Sequence, residues 1–225
     1  MFFKKKRFNA FLLLSLVFLF FASSRAQETV DCVAAVVNDQ VITLVDLKIA
    51  LAFGLLEKEI VANAENPLRL VLEKLIDQKV VIDLTREKIS VEEQEVEDNL
   101  KDIRDKIGQD RMQMKLEDFD LDLNYLKGYL REKLLYQKII SLRFGQSVIV
   151  SLKEIETYYQ DVYIPSQKKL GLEPKLIVQV LDEIEARVKG EKMERQVALW
   201  IENLRRQAEI EIRDDCLGKK SGIED

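Results

Sequence analysis

The sequence predicts a mostly α-helical protein closed by a small antiparallel sheet, and three observations carry that expectation. The stretch "VDCVAAVVNDQVIT", residues 30–43, is β-branched on both sides of Asn38-Asp39, the pattern of two short strands around a turn. The ending "AEIEIR", residues 208–213, alternates Ala208, Ile210 and Ile212 with Glu209, Glu211 and Arg213, which is a strand period. Nearly everything between carries apolar residues at three- and four-residue spacing, the mark of amphipathic helices.

The chain opens with a basic group, Lys4, Lys5, Lys6 and Arg7, then an apolar run from Phe8 to Phe21 broken by Asn9 and Ser15. Ser24-Arg25-Ala26 places small residues where a signal peptidase cuts. The three-part layout is that of a secretory signal peptide over residues 1–26, and the apolar run is short for a membrane span. Export through such a signal implies no stable membrane insertion of the mature chain. The whole chain has 35 Lys+Arg against 40 Asp+Glu, a net charge of −5. Residues 1–26 hold five of the basic residues and no acidic one, so the mature chain balances 30 against 40, a net charge of −10. No overall basic character marks it for nucleic acid.

The first elements follow from local rules. Thr43 precedes Asp46 by three residues, a capping-box spacing, so the second strand is expected to turn directly into a helix over "LVDLKIALAFGLLEKEIV". Asn66-Pro67 is a helix start, with Asn66 as cap and proline at the first helical position. Leu68, Leu72, Leu75, Ile76 and Val80 mark the buried face of that helix. Ser90 and Glu93 repeat the capping spacing before a stripe of Val96, Leu100, Ile103 and Ile107, which Gly108 ends.

Residues 112–125, "MQMKLEDFDLDLNY", read as a tight inter-helix loop, with Asp122 available to cap the next helix. Leu126, Leu130, Leu134 and residues 136–140 continue as a strong amphipathic helix. Ser151 and Glu154 start a short one, "LKEIETYYQD". Residues 162–175 hold two of the three prolines, Pro165 and Pro174, and read as a linker. A long helical pattern follows, apolar at Ile177, Val180, Ile184, Val188, Val197, Trp200, Ile201 and Leu204, with Gly190 weakening its middle.

The strands thus sit at the two ends of the mature chain. A lone hairpin is marginal in water and a third strand stabilises it, so the last strand is expected to pair with the first two. If that pairing is antiparallel, Cys32 and Cys216, the only cysteines, fall together. In an oxidising compartment a disulfide is then expected; two thiols that merely pack are the alternative.

The absent chemistry is informative. With no histidine, Ser-His-Asp and Cys-His catalysis and the commonest zinc sites are excluded. Acidic runs such as "VEEQEVED" read as solvated helix faces. "LGKKSG" fails as a phosphate loop, because Arg213 and Lys220 stand where Gly and Ser or Thr are required. No cofactor is expected.

Three stretches together carry a family resemblance: "VDCVAAVVNDQVITLVDL", the helices "NPLRLVLEKLIDQKVVIDLTREKISVEEQEVEDNLKDI" and "YLKGYLREKLLYQKIISLRF", and the ending "EKMERQVALWIENLRRQAEIEI". The chain resembles a SurA-type periplasmic chaperone over about residues 30–160 and 174–213, the opening "VAAVVNDQVIT" with Asp46 being the most specific piece. The resemblance implies a helical chaperone core (residues 27–161) completed by a C-terminal helix and strand (176–216), with a polar tail over 217–225. In that family parvulin-type prolyl isomerase domains, whose sites use histidines, precede the C-terminal helix. Here only residues 162–175 stand there.

The expectation is therefore an ATP-independent periplasmic holdase for unfolded outer-membrane or secreted proteins, without isomerase activity. An escort subunit for one envelope partner is the alternative, and a prolyl isomerase the remote one. The candidate client contacts are Met112, Met114, Phe119 and Leu121, placed in the inter-helix loop, and Tyr158 and Tyr159 beside the linker.

Overall fold

The structure is a computed structural model, and it describes residues 31–56, 62–85 and 89–217. The chain divides into residues 1–31 and a unit that begins at Cys32. The expected signal peptide and residues 218–225 of the polar tail lie outside the described residues.

The fold is mostly α with a small antiparallel sheet. Strands β1 (Val33–Val37), β2 (Gln40–Thr43) and β3 (Ile210–Ile212) form one sheet in the order β2-β1-β3. Asn38 adopts φ +50 at the turn between β1 and β2, a left-handed conformation that asparagine tolerates better than most residues. The terminal strand pairs antiparallel with β1, setting Val37 opposite Ile210 and Ala35 opposite Ile212. Backbone bonds extend that ladder at both ends: Asn38 N–H donates to Glu209 O at 2.8 Å and Arg213 N–H to Ala34 O at 2.9 Å. The β3 segment is shorter than the expected 208–213, since only these three residues hold strand geometry. Cys32 and Cys216 are joined, with Cα atoms 5.7 Å apart.

Helix α1 (Leu44–Ala52) leaves β2 without a loop. Asp46 accepts the Thr43 N–H at 2.7 Å while Thr43 Oγ1 accepts the Asp46 N–H at 3.3 Å, so the capping box is formed. The helix stops well before the expected Val61: Phe53 caps it and Gly54 takes φ +61, which favours glycine. Residues 57–61 of the expected helix lie outside the described ones.

Helix α2 (Pro67–Thr85) starts where Asn66 Oδ1 accepts the Arg69 N–H at 3.0 Å, and buries Val71, Leu72, Ile76 and Val80 completely. Helix α3 (Glu93–Ile107) starts from Glu92 rather than Ser90, because the Glu95 carboxylate reaches back to the Glu92 N–H at 2.8 Å. The Ser90 carbonyl instead accepts from Lys138 at 3.0 Å.

The expected loop over 112–125 is overturned. Residues Gln109–Asp118 form helix α4, which buries Met112 and Leu116 four residues apart on one face. Only residues 119–122 turn, with Asp120 at φ +50. Phe119, Leu121, Leu123 and Tyr125 alternate with Asp118, Asp120, Asp122 and Asn124 because of that turn and a helix start, not because of a strand or a long loop. Asp122 caps helix α5 (Leu123–Phe144), accepting the Tyr125 N–H at 2.9 Å.

The sheet, α1 to α4 and the start of α5 enclose the main core, with Ala34, Leu47, Ile49, Phe53, Leu126 and Leu130 at its centre. Two smaller clusters lie outside it. One joins Val81, Ile139 and Ile201 where helix α8 (Leu181–Arg205) packs against α2 and α5. Arg205 fixes this contact, donating to Glu73 at 2.7 Å and Asp77 at 2.8 Å.

The other cluster holds Ile155, Val180, Ile184 and Val188, and unites helix α6 (Leu152–Tyr158) with the first half of α8. The stretch read as a linker is only partly irregular. A π-turn over Tyr159–Tyr163 runs into helix α7 (Ile164–Lys169), because Pro165 falls at the first turn, where proline costs no hydrogen bond. The last long helix begins at Leu181, after a 3₁₀ turn over Ile177–Gln179.

Ser151 and Glu154 form the expected capping box, and Lys192 of α8 donates to the same Glu154 carboxylate at 2.7 Å. The Lys192 hydrogen bond, followed by those from the Ser151 N–H and hydroxyl, holds the Glu154 carboxyl down at about 2. A folded value below the unfolded one stabilises the α6–α8 junction above the ordinary carboxylate range. That contribution is lost as pH falls through the folded value of about 2. A ¹³C carboxyl titration should place Glu154 near 2 and move it back toward the ordinary range in Lys192→Met. An ordinary titration in the unsubstituted protein would show that this pair does not form in solution.

Candidate apolar cleft and its cationic extension

Helix α5 has two working faces. Leu126 and Leu130 turn into the main core, both fully buried. Tyr125, Gly128, Tyr129, Glu132 and Lys133, spaced i, i+3, i+4, i+7 and i+8, line an adjacent cleft of about 280 Å³. Its opposite wall comes from Val41 and Ile42 of β2, Asp46 of α1, Leu55 and Leu56 after it, and Leu75, Gln78 and Lys79 of α2. Ile42 and Leu55 are buried, whereas Val41 is 49% and Tyr125 67% exposed. The cleft thus has a closed apolar floor and an accessible apolar rim.

Three features hold it open. Tyr129 donates its hydroxyl to Asp46, tying α5 to the helix start that Asp46 also caps. Lys79 donates to both Glu132 carboxylate oxygens at 2.8 Å, bracing α2 against α5. Gly128 leaves space between them: a Cβ built there meets no atom within 4 Å.

A second cavity, of about 500 Å³, lies beside the first and shares Leu56 and Lys133 with it. Its apolar part comes from the end of α1, with Leu51 and Phe53, and from Ile103 and Ile107 of α3. Its polar part is Lys106, Arg111, Lys115 and Lys133 with Asn99 and Asp102. Burial pulls the Lys133 ammonium below its ordinary pKa; Lys106 adds to this, and Asp102 opposes it.

The residues singled out from the sequence are placed differently. Met112 is 4% exposed and belongs to the main core, so its reading as a client contact is overturned: α4 turns it inward with Leu116. Met114, on the other side of α4, is exposed. Phe119 and Leu121 are half-buried against the main core, Phe119 tilted on Phe53 with ring centroids 6.5 Å apart. Tyr158 and Tyr159 pack on the Ile155 cluster, and Tyr159 stacks on Tyr163 at 5.5 Å and donates its hydroxyl to Lys175 O at 2.8 Å. These residues do not converge on one site.

The cleft residues Val41, Tyr125, Gly128 and Tyr129 are not among those the sequence singles out. The helical spacing from Tyr125 to Lys133 was their one local signal, and it stands beside a stronger leucine stripe. Among the described residues, no group of three or more histidine, cysteine or acidic side chains is placed to hold a metal ion. No helix of the described residues is long and apolar enough to cross a membrane. No protein-family model matches the chain, and no curated protein sequence matches it significantly.

Proposed function

We propose that the protein is an ATP-independent holdase that binds apolar side chains of extended, unfolded polypeptides in the α5 cleft. The single observation that carries this reading is an accessible apolar rim, Val41 and Tyr125, above a closed apolar floor in a cleft of about 280 Å³. Such a cleft takes a few side chains rather than a folded partner, and bridging by Lys79–Glu132 and Tyr129–Asp46 keeps it formed before binding. The resemblance to SurA-type chaperones supports the same reading, and with it a periplasmic location and outer-membrane or secreted proteins as clients. The Cys32–Cys216 bond suits an oxidising compartment.

Substituting Gly128→Leu tests the site. The new side chain occupies the cleft, where a Cβ meets nothing, and it favours helix by about 0.5–1 kcal/mol over glycine. The expected result is a protein at least as stable as the parent that suppresses aggregation of a urea-diluted outer-membrane barrel about tenfold less well, with no nucleotide present. Undiminished suppression by Gly128→Leu would exclude the cleft, and no suppression by the parent would exclude the holdase reading. Capture of one folded envelope protein instead of many unfolded ones would favour the escort reading.

A further inference from the structure

Resting on that binding role, we propose that the site selects acidic apolar segments: extended polypeptide in which apolar side chains are followed by two closely spaced Asp or Glu side chains. The apolar part lies in the α5 cleft and the carboxylates in the adjoining cationic cavity. The two adjoin, sharing Leu56 and Lys133 as common lining.

Charge complementarity argues for this occupant. The chain as a whole is acidic, at −5, yet among the described residues this cavity is lined by Lys106, Arg111, Lys115 and Lys133 against the single acid Asp102. Elsewhere on α2 and α5 several cations are matched: Lys79 pairs with Glu132, Arg131 with Glu93, and Lys138 with Glu95. No such ion pair joins the four cavity cations to a carboxylate among the described residues.

Lys133 is half-buried, and its ammonium is disfavoured by that burial, a situation that an incoming carboxylate relieves. One carboxylate, such as a chain terminus, would leave most of the excess charge uncompensated; two acidic side chains match it better. Apolar contact supplies affinity in such a site, and the charges supply choice among clients.

The test uses the purified mature protein and two short fluorescein-labelled, amidated peptides with the same apolar residues, one ending in two aspartates and the other in two asparagines. Fluorescence anisotropy at low salt should show the aspartate peptide binding about tenfold tighter. The advantage should shrink at high salt as the pairs are screened. Lys133→Gln should remove most of it without lowering the melting temperature, and Lys133→Arg should keep it. Equal binding of both peptides would overturn the acidic selection while leaving the holdase reading intact. Failure of both peptides to bind would overturn both. Displacement of the aspartate peptide by an equal concentration of inorganic phosphate would reduce the cavity to a simple anion site and overturn the selection of segments.

Discussion

Replacing Cys32 and Cys216 together by serine will lower the stability of the folded chain by about 2–5 kcal/mol. The bond joins residues 184 positions apart, so nearly the whole described chain lies in one closed loop. Chain entropy alone gives roughly 5 kcal/mol for such a loop, and strain or residual structure in the unfolded chain reduces it. What remains at the junction without the bond is small, since β3 has three residues and its ladder to β1 a few hydrogen bonds. The variant should therefore lose amide protection at Glu211 and Ile212 before the helices lose theirs. Urea unfolding of parent and variant, followed by circular dichroism and by hydrogen exchange, measures both effects. A loss under about 1 kcal/mol would mean that the sheet and α8 hold the chain ends together unaided.

The second large effect separates the two faces of α5. Leu126→Ala removes a fully buried side chain from the main core and should cost about 2–5 kcal/mol, with the spread set by how far the core closes on the cavity. Tyr125→Ala, one residue away but 67% exposed on the cleft rim, should change stability by no more than about 0.5 kcal/mol. Client binding at a temperature where both variants are folded should show the reverse order, with Tyr125→Ala the more impaired. Equal stability losses at the two positions would mean that α5 does not present these faces as described.

The local grammar of the chain is readable before any folding. Thr43 with Asp46, Asn66, Asp122, and Ser151 with Glu154 all cap helices, because each bond joins atoms within three residues and needs no distant partner. The same grammar misleads where two starts compete. Ser90 offered a cap, but Glu92 and Glu95 took the helix start. Residues 118–125 alternate like a strand only because a helix end, a four-residue turn and a new cap follow closely there. Met112 is buried rather than exposed in a loop. The four-residue spacing from Met112 to Leu116 within the helix sends both inward.

By itself the sequence determined the helical class, the strands at both ends and the approach of Cys32 to Cys216, since periodicity and the need to pair a marginal hairpin leave few other solutions. Only the tertiary structure decided where the surface opens. A cleft is a place where side chains fail to touch, and its walls come from β2, α1, α2 and α5, separated by up to about ninety residues. No residue carries that information locally: Gly128 is a weak helix former until α2 stands across from it, and Lys133 is an ordinary cation until packing half-buries it.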